Sequence, residues 1–230
     1  MKSGRQKIVP NARVMKCRDV LFIIYPVFFA LFFVTAGEGM ANEEAKYTVI
    51  MKEGNYELRQ YESHIVAETT VEGAFDKAGN DGFRRLFKYI SGENQKKQSI
   101  AMTTPVSQEA GSEKIAMTAP VSQERTGGQW RIAFVMPSEY TMDTLPQPVD
   151  PKVLLKQVPA RRMAAITYSG TWSKERYEEQ KTLLKAFMQK QKLHPVGEPV
   201  LARYNSPFTL WFLRRNEVLI PVQGPDEERK

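Results

Sequence analysis

The chain has 230 residues, 42% hydrophobic and 26% charged, which suits one globular domain with a proper core and excludes a fibrous or disordered chain. Its formal net charge of +7 is mostly N-terminal: without residues 1–41 the balance is 27 basic against 24 acidic side chains, or +3, which is no electrostatic footprint for nucleic acid. Cys17 is the only cysteine, so the body of the chain carries no disulfide, thiol nucleophile, zinc–thiolate site or CxxCH haem attachment.

Residues 1–19 hold six basic side chains and one acid, and an apolar run from Val20 to Val34 follows, with small residues around Gly37–Ala41. That order describes a secretory signal peptide, with a mature start near Asn42. The run is shorter than the roughly 20 apolar residues of a spanning helix and contains Pro26. The alternative is an uncleaved anchor over residues 20–36. In both cases the body is expected to be exported, periplasmic or secreted. Cys17 precedes the run and so is not in lipobox position, and Met15 is a second candidate start.

The body, residues 42–222, reads as one domain. Residues 47–53 and 56–62 predict two strands joined at Gly54-Asn55, a tight-turn pair. Tyr56, Leu58 and Gln60 then share one face, and Glu57, Arg59 and Tyr61 the other. A third strand is expected over 65–72 and a helix over 74–90. Phe75, Gly79, Phe83, Leu86 and Ile90 make its apolar stripe, Phe87 widens it, and Arg84, Arg85 and Lys88 flank it. Gly79 and Gly82 each cost about 1 kcal/mol of helix propensity against Ala, so a close approach is expected there. Gly92 is the expected stop.

Residues 100–109 (IAMTTPVSQE) and 115–124 (IAMTAPVSQE) form a tandem repeat matching at nine of ten positions. Alternation of Ile100, Met102, Thr104 and Val106, and of Ile115, Met117, Ala119 and Val121, predicts a hairpin of the two copies with both apolar sets on one face. Pro105 and Pro120 each remove a ladder donor. Residues 129–136 predict a strand buried on both faces. The proline-bearing stretch 137–151 reads as a linker, followed by strands 152–158 and 162–168. Ser173 caps a helix running to about Lys192. Strands 200–204 and 214–222 are bridged by Asn205-Ser206-Pro207, and the tail 223–230 is charged and expected to be mobile. At an offset of 97, Ala67, Thr70, Gly73 and Phe75 match Ala164, Thr167, Gly170 and Trp172. The expectation is an α+β domain: two similar halves, a mostly antiparallel sheet curling into a distorted β-barrel, and two flanking helices.

Enzyme templates are missing: there is no HExxH, GxSxG, P-loop or GxGxxG, and the two histidines, His64 and His194, read as solvated surface residues. Met102 and Met117 read as core fillers, and the repeat's threonines as strand formers. The first helix is the best ligand candidate, because Phe83 and Phe87 beside Arg84, Arg85 and Lys88 suit a flat, apolar molecule bearing carboxylates, such as a tetrapyrrole. The plain reading, an amphipathic helix with a core face, stands beside it.

YELRQYE, FRRLFKYISGEN, the two KIAMTAPV-like segments, WRIAFVMPSEY and the closing YNSPF and RRNEV together resemble the SOUL haem-binding protein family over Tyr47 to Val222. The resemblance implies a distorted antiparallel barrel of two halves with two helices. It implies reversible, non-covalent binding of haem or another porphyrin by a protein that is not an enzyme. The implied cleft lies beside the first helix and the loop before the last strand: Phe83, Arg84, Phe87 and Lys88, with Phe208 and Thr209. Lys88 keeps a basic residue that the family uses near the propionates, whereas Asn80 and Thr209 stand at two other basic positions. Gln60 stands where one animal branch ligates iron through histidine, and a glutamine amide is a poor haem ligand; His64 is the nearby substitute. A different expectation is a binding module for another apolar small molecule or a protein partner in the cell envelope. No nucleic-acid partner, and no membrane contact beyond an uncleaved N-terminal segment, is expected.

Overall fold

The computed structural model of the chain describes residues 43–96 and 111–223. The leader, the first copy of the repeat and the charged tail lie outside the described residues, and with them the expected pairing of the two copies.

Nine strands form one curled antiparallel sheet: β1 (Tyr47–Glu53), β2 (Tyr56–Tyr61), β3 (His64–Val71), β5 (Val121–Thr126), β6 (Gln129–Val135), β8 (Leu154–Val158), β9 (Arg161–Tyr168), β10 (Val200–Arg203) and β11 (Asn216–Val222). A two-residue pair, β4 (Asn94–Gln95) with β7 (Gln147–Pro148), tacks the 137–151 linker to the end of helix α1 (Phe75–Ile90). Helix α2 (Lys174–Lys190) follows β9, with Ser173 Oγ accepting from the Arg176 N–H as its cap. The fold is α+β, half of a distorted barrel, as expected.

The strand order is β1-β2-β9-β11-β10-β5-β6-β3-β8. Outward from the central β10–β5 pair, the sequence β11, β9, β2 on one side matches β6, β3, β8 on the other, which is the pseudo-twofold relation expected from the offset of 97. Both halves use the same device to pass from strand to helix. Gly73 and Gly170 take φ of +112° and +125°, a region closed to side chains with a Cβ.

Both helices lie on one face of the sheet, α1 against β3 and β6, α2 against β9 and β11. Between helices and sheet lies the main core, with Leu58, Ala67, Phe75, Leu86, Ile132, Phe134, Ala164, Ile166, Leu184, Leu201, Val218 and Ile220. The opposite face is filled in part by the segment before β1 and a smaller cluster that includes Ala45, Tyr61, Met163, Val200 and Leu219. That second filling explains why β6 and β9 are apolar on both sides.

The second repeat copy departs from expectation. Only its end, from Val121, is strand, and β5 already has both neighbours: Val121 opposes Phe134 of β6 and Arg203 of β10. Residues 115–120 run as irregular chain, with the Ile115 N–H on the Ile90 carbonyl (2.8 Å) and the Ala119 N–H on the Glu43 carbonyl (2.9 Å). Pro120 has no N–H with which to continue the ladder. The apolar alternation survives in part: Ile115 and Ala119 are buried and Met117 packs on the core.

Candidate functional site

Helix α1 is seated unusually close to the sheet. A Cβ on Gly82 would stand 2.7 Å from the Ile132 side chain, and one on Gly79 would stand 2.7 Å from Gln123 Oε1. The two glycines are thus the close approach that their low propensity pointed to. Gln123, buried beneath the helix, donates from Nε2 to the Phe75 carbonyl (2.9 Å) and accepts from Arg203 Nη2 (2.7 Å).

Beside this seat, α1, β5, β10 and the loop after β10 enclose a small cleft of about 100 Å³, walled by Phe83, Val121, Ile132, Trp172 and Pro207, with Asn80, Gln123, Arg203 and Asn205 as its polar members. Trp172 is fixed by its indole N–H on Asn216 Oδ1 (2.7 Å). Arg203 lies between aromatic rings, its guanidinium carbon 5.4 Å from the Trp172 centroid and 5.9 Å from that of Phe75. Burial pulls its proton affinity below the ordinary arginine value. Its Nε is buried with no hydrogen-bond acceptor among the described residues. A desolvated guanidinium with an N–H to spare is a ready partner for a carboxylate.

Phe83 stacks on Phe87 (5.8 Å, 12°) and abuts Phe134 (5.4 Å). Phe87 does not widen the core stripe as expected. It is 48% exposed, because the sheet reaches only as far as the Ala78–Gly82–Leu86–Tyr89 side of the helix. The helix cations Arg84 and Lys88 are both engaged, with Asp81 (2.5 Å) and Glu93 (3.4 Å). These are exposed pairs of small energetic weight, so either can turn to a ligand. Phe208 is 94% exposed. Thr209 is half-buried and bonded within its loop, its N–H to the Ser206 carbonyl (3.0 Å) and its carbonyl to Arg214 Nε (2.8 Å). Arg214 also reaches the Pro207 carbonyl and lies over Trp172. The loop is therefore held in shape while Phe208, Leu210, Trp211, Phe212 and Leu213 remain in solvent.

Of the six expected site residues, Phe83 lines the cleft and Phe87 extends it. Arg84 and Lys88 stand on the same helix but do not line it, and Phe208 and Thr209 belong to the loop that closes it through Asn205 and Pro207. Sequence reasoning missed Trp172 and Arg203. Trp172 had a signal, its correspondence to Phe75 across the two halves; Arg203, in VLARY, had none.

His64 is not the solvated residue expected. It is half-buried, its Nδ1 lies 2.9 Å from the Glu62 carbonyl, and burial lowers its pKa. It shares a sheet face with Val66 and Glu68, opposite to the helices, so it cannot reach the cleft. Gln60 is not among the cleft residues either, and among the described residues no histidine, cysteine, methionine or tyrosine lines it. Among the described residues no cluster of His, Cys, Asp and Glu is arranged to hold a metal.

A haem-binding relationship is what sequence comparison finds. Residues 42–221 match the SOUL heme-binding protein family, and the chain belongs to that family. It is 30% identical to human heme-binding protein 2 over 182 residues, 77% of this chain and 83% of that protein. A 74-residue stretch is 36% identical to heme-binding protein 1 of Xenopus laevis, covering 30% of this chain and 37% of that one. Among solved structures, the EcmrR–DNA complex aligns with a TM-score of 0.50 at 10% identity, over 73% of this chain and 57% of that one; at that identity the likeness concerns fold alone.

Proposed function

We propose that this chain is a non-catalytic binder of haem or another tetrapyrrole, held without covalent attachment at the α1 cleft in an exported protein. The observation that carries the reading is the Phe83–Phe87 stack, half in solvent, on the helix that walls the cleft where Arg203, half-buried, keeps an unused Nε–H. An aromatic wall with a carboxylate partner is what a porphyrin's plane and propionates require. Membership of the SOUL family gives that reading its prior weight.

The cleft of about 100 Å³ is well below the roughly 300 Å³ of sites that enclose a small molecule. The ring would therefore lie across the opening, between Phe87 and the Phe208 loop, with only one edge inside near Arg203. When bound, haem would supply the iron; the residues at hand bind the plane and the carboxylates, since none of them is a customary axial ligand. Titration of the full chain with haemin and with iron-free protoporphyrin should give saturable micromolar binding of both, within about threefold of each other. Phe83→Asp and Arg203→Gln should each weaken both ligands at least tenfold. No saturable binding of either would end the proposal, and strong preference for haemin would require an iron ligand from elsewhere.

A second reading rests on the exposed apolar run from Leu210 to Leu213, which suits another apolar small molecule or a protein partner. Mass spectrometry of molecules retained on the purified chain separates the two: a retained lipid or peptide with no tetrapyrrole favours this one.

A further inference from the structure

The helix-free face of the sheet holds a second cavity, of about 250 Å³, that the tetrapyrrole reading does not use. Its floor is apolar, with Val66, Ala133, Met163 and Leu219 from four strands, and its rim is charged. The carboxylates on that rim are already engaged. Glu124 takes Arg131 Nη2 at 2.7 Å, and Glu68 lies within 3.9 Å of Arg131 and 3.7 Å of the Lys156 ammonium.

Arg161 is the exception. It lines the same cavity, half-buried, and its guanidinium makes no hydrogen bond or ion pair among the described residues. Burial depresses its proton affinity, Glu124 opposing this and the like charge of Arg131 adding to it. Directly across the ladder from Arg161 stands Tyr61. Its hydroxyl accepts from Arg59 Nη1 (3.1 Å) and still has its own proton to give. Burial pushes that phenol up to about 12, so the proton is present at neutral pH. Opposed residues on one sheet face have Cβ atoms about 5 Å apart. Arg161 and Tyr61 both line the cavity, at the edge of its apolar floor.

A half-buried cation whose nearest carboxylate is already paired with another arginine gains from an anion that pairs with it directly. We propose that this cavity is a second ligand site, for a small apolar monocarboxylate, an alkyl or aryl acid whose carboxylate takes Arg161 and Tyr61 while its tail covers Val66, Met163 and Leu219. The balance of charge favours a single anion. Two carboxylates on the rim are matched by Arg131 and Lys156, and Arg161 is left over. The volume, below the usual 300 Å³ for enclosed ligands, sets the size at a short acid rather than a porphyrin.

The test is calorimetric titration of the full chain with 4-phenylbutyrate, 4-phenylbutanol and 4-phenylbutylamine, which share a tail and differ in charge. The acid should bind saturably and at least tenfold more tightly than the alcohol, with the amine weakest. Arg161→Gln should lower affinity for the acid at least tenfold and Tyr61→Phe severalfold, with circular dichroism melting curves reporting whether each variant is folded. The wild-type comparison of acid with alcohol stands by itself if a variant fails to fold. Equal binding of acid and alcohol overturns the proposal. So does loss of acid binding on Arg203→Gln with Arg161→Gln unaffected, which would place the acid in the α1 cleft.

Discussion

Arg59 and Glu217 show how far a residue's environment departs from its sequence context. In YELRQYE and RRNEV both look like surface charges, yet Arg59 is 2% exposed and Glu217 is fully buried. They meet by two hydrogen bonds of 2.7 and 3.0 Å. Glu57, Tyr61, Thr167, Tyr204 and Arg215 complete the network, and Arg215 ties it to Glu44. Burial alone would raise the Glu217 carboxyl; the hydrogen bonds and charge of Arg59, with Arg215 and the Tyr204 hydroxyl, outweigh it and hold the group below the usual carboxylate range. Removing one partner strands the other. Arg59→Met or Glu217→Leu should each cost about 3–5 kcal/mol by urea denaturation, and the double variant less than their sum. Phe87 is the opposite case. Phe87→Ala should change stability by no more than about 0.5 kcal/mol, as an exposed site does, while Leu86→Ala one position away costs about 2–5 kcal/mol. If Phe87→Ala destabilised like Leu86→Ala, the aromatic would belong to the core and its candidacy for a site would lapse.

At the scale of elements, the seat of α1 is decided by two missing side chains. Gly82→Ala places a methyl against Ile132 and should cost about 1–3 kcal/mol through overpacking, despite a gain in helix propensity of about 1 kcal/mol. Ile132→Val in the same chain should restore only a small part of the loss, since it removes Cδ1 at 2.9 Å and leaves Cγ1 and Cβ, at 2.7 and 2.8 Å, in place. Equal costs with and without Ile132→Val in denaturant melts would show that the helix simply lifts away. The repeat carries the converse lesson. Alternation along 115–124 predicted part of its buried side chains, whereas the strand itself begins only at Val121 and pairs on both edges, with β6 and β10.

For the whole molecule, the titrating groups set the pH range of stability. Glu57 and Glu217 are both held below the ordinary glutamate value of 4.5, against the opposing effect of their burial. Depressed carboxyls contribute stability that is complete above the unfolded value and is lost as pH falls below it. Tyr61 and Tyr168 are raised by burial from 10.0 to about 12. Raised phenols contribute stability that is complete below the unfolded value and is lost as pH rises through the folded one. His64, lowered by burial from 6.5, gives up stability as pH falls below that value, so thermal melts should show a plateau between about pH 7 and 9, a gentle fall below 7 that steepens below about 5, and a fall above 9. A Tm that climbed below pH 4.5 would contradict the pairing assigned to Glu217.

Periodicity and turn chemistry were local enough for the sequence by itself to determine most of the elements, the helix caps, the two-halves plan and, through its motifs, the family. Phe83 and Phe87 were legible as candidates because aromatics and cations recur at helical spacing on one segment. What only the tertiary structure decided were relations between distant strands. Trp172 and Arg203 come from the second half of the chain to complete a cleft begun by α1. His64 is excluded from that cleft because strand parity turns it to the other face. Arg161 and Tyr61, a hundred residues apart and unremarkable in sequence, become a pair only through the β2–β9 register. Such a register is fixed by the packing of both sheet faces at once, and no local pattern encodes it.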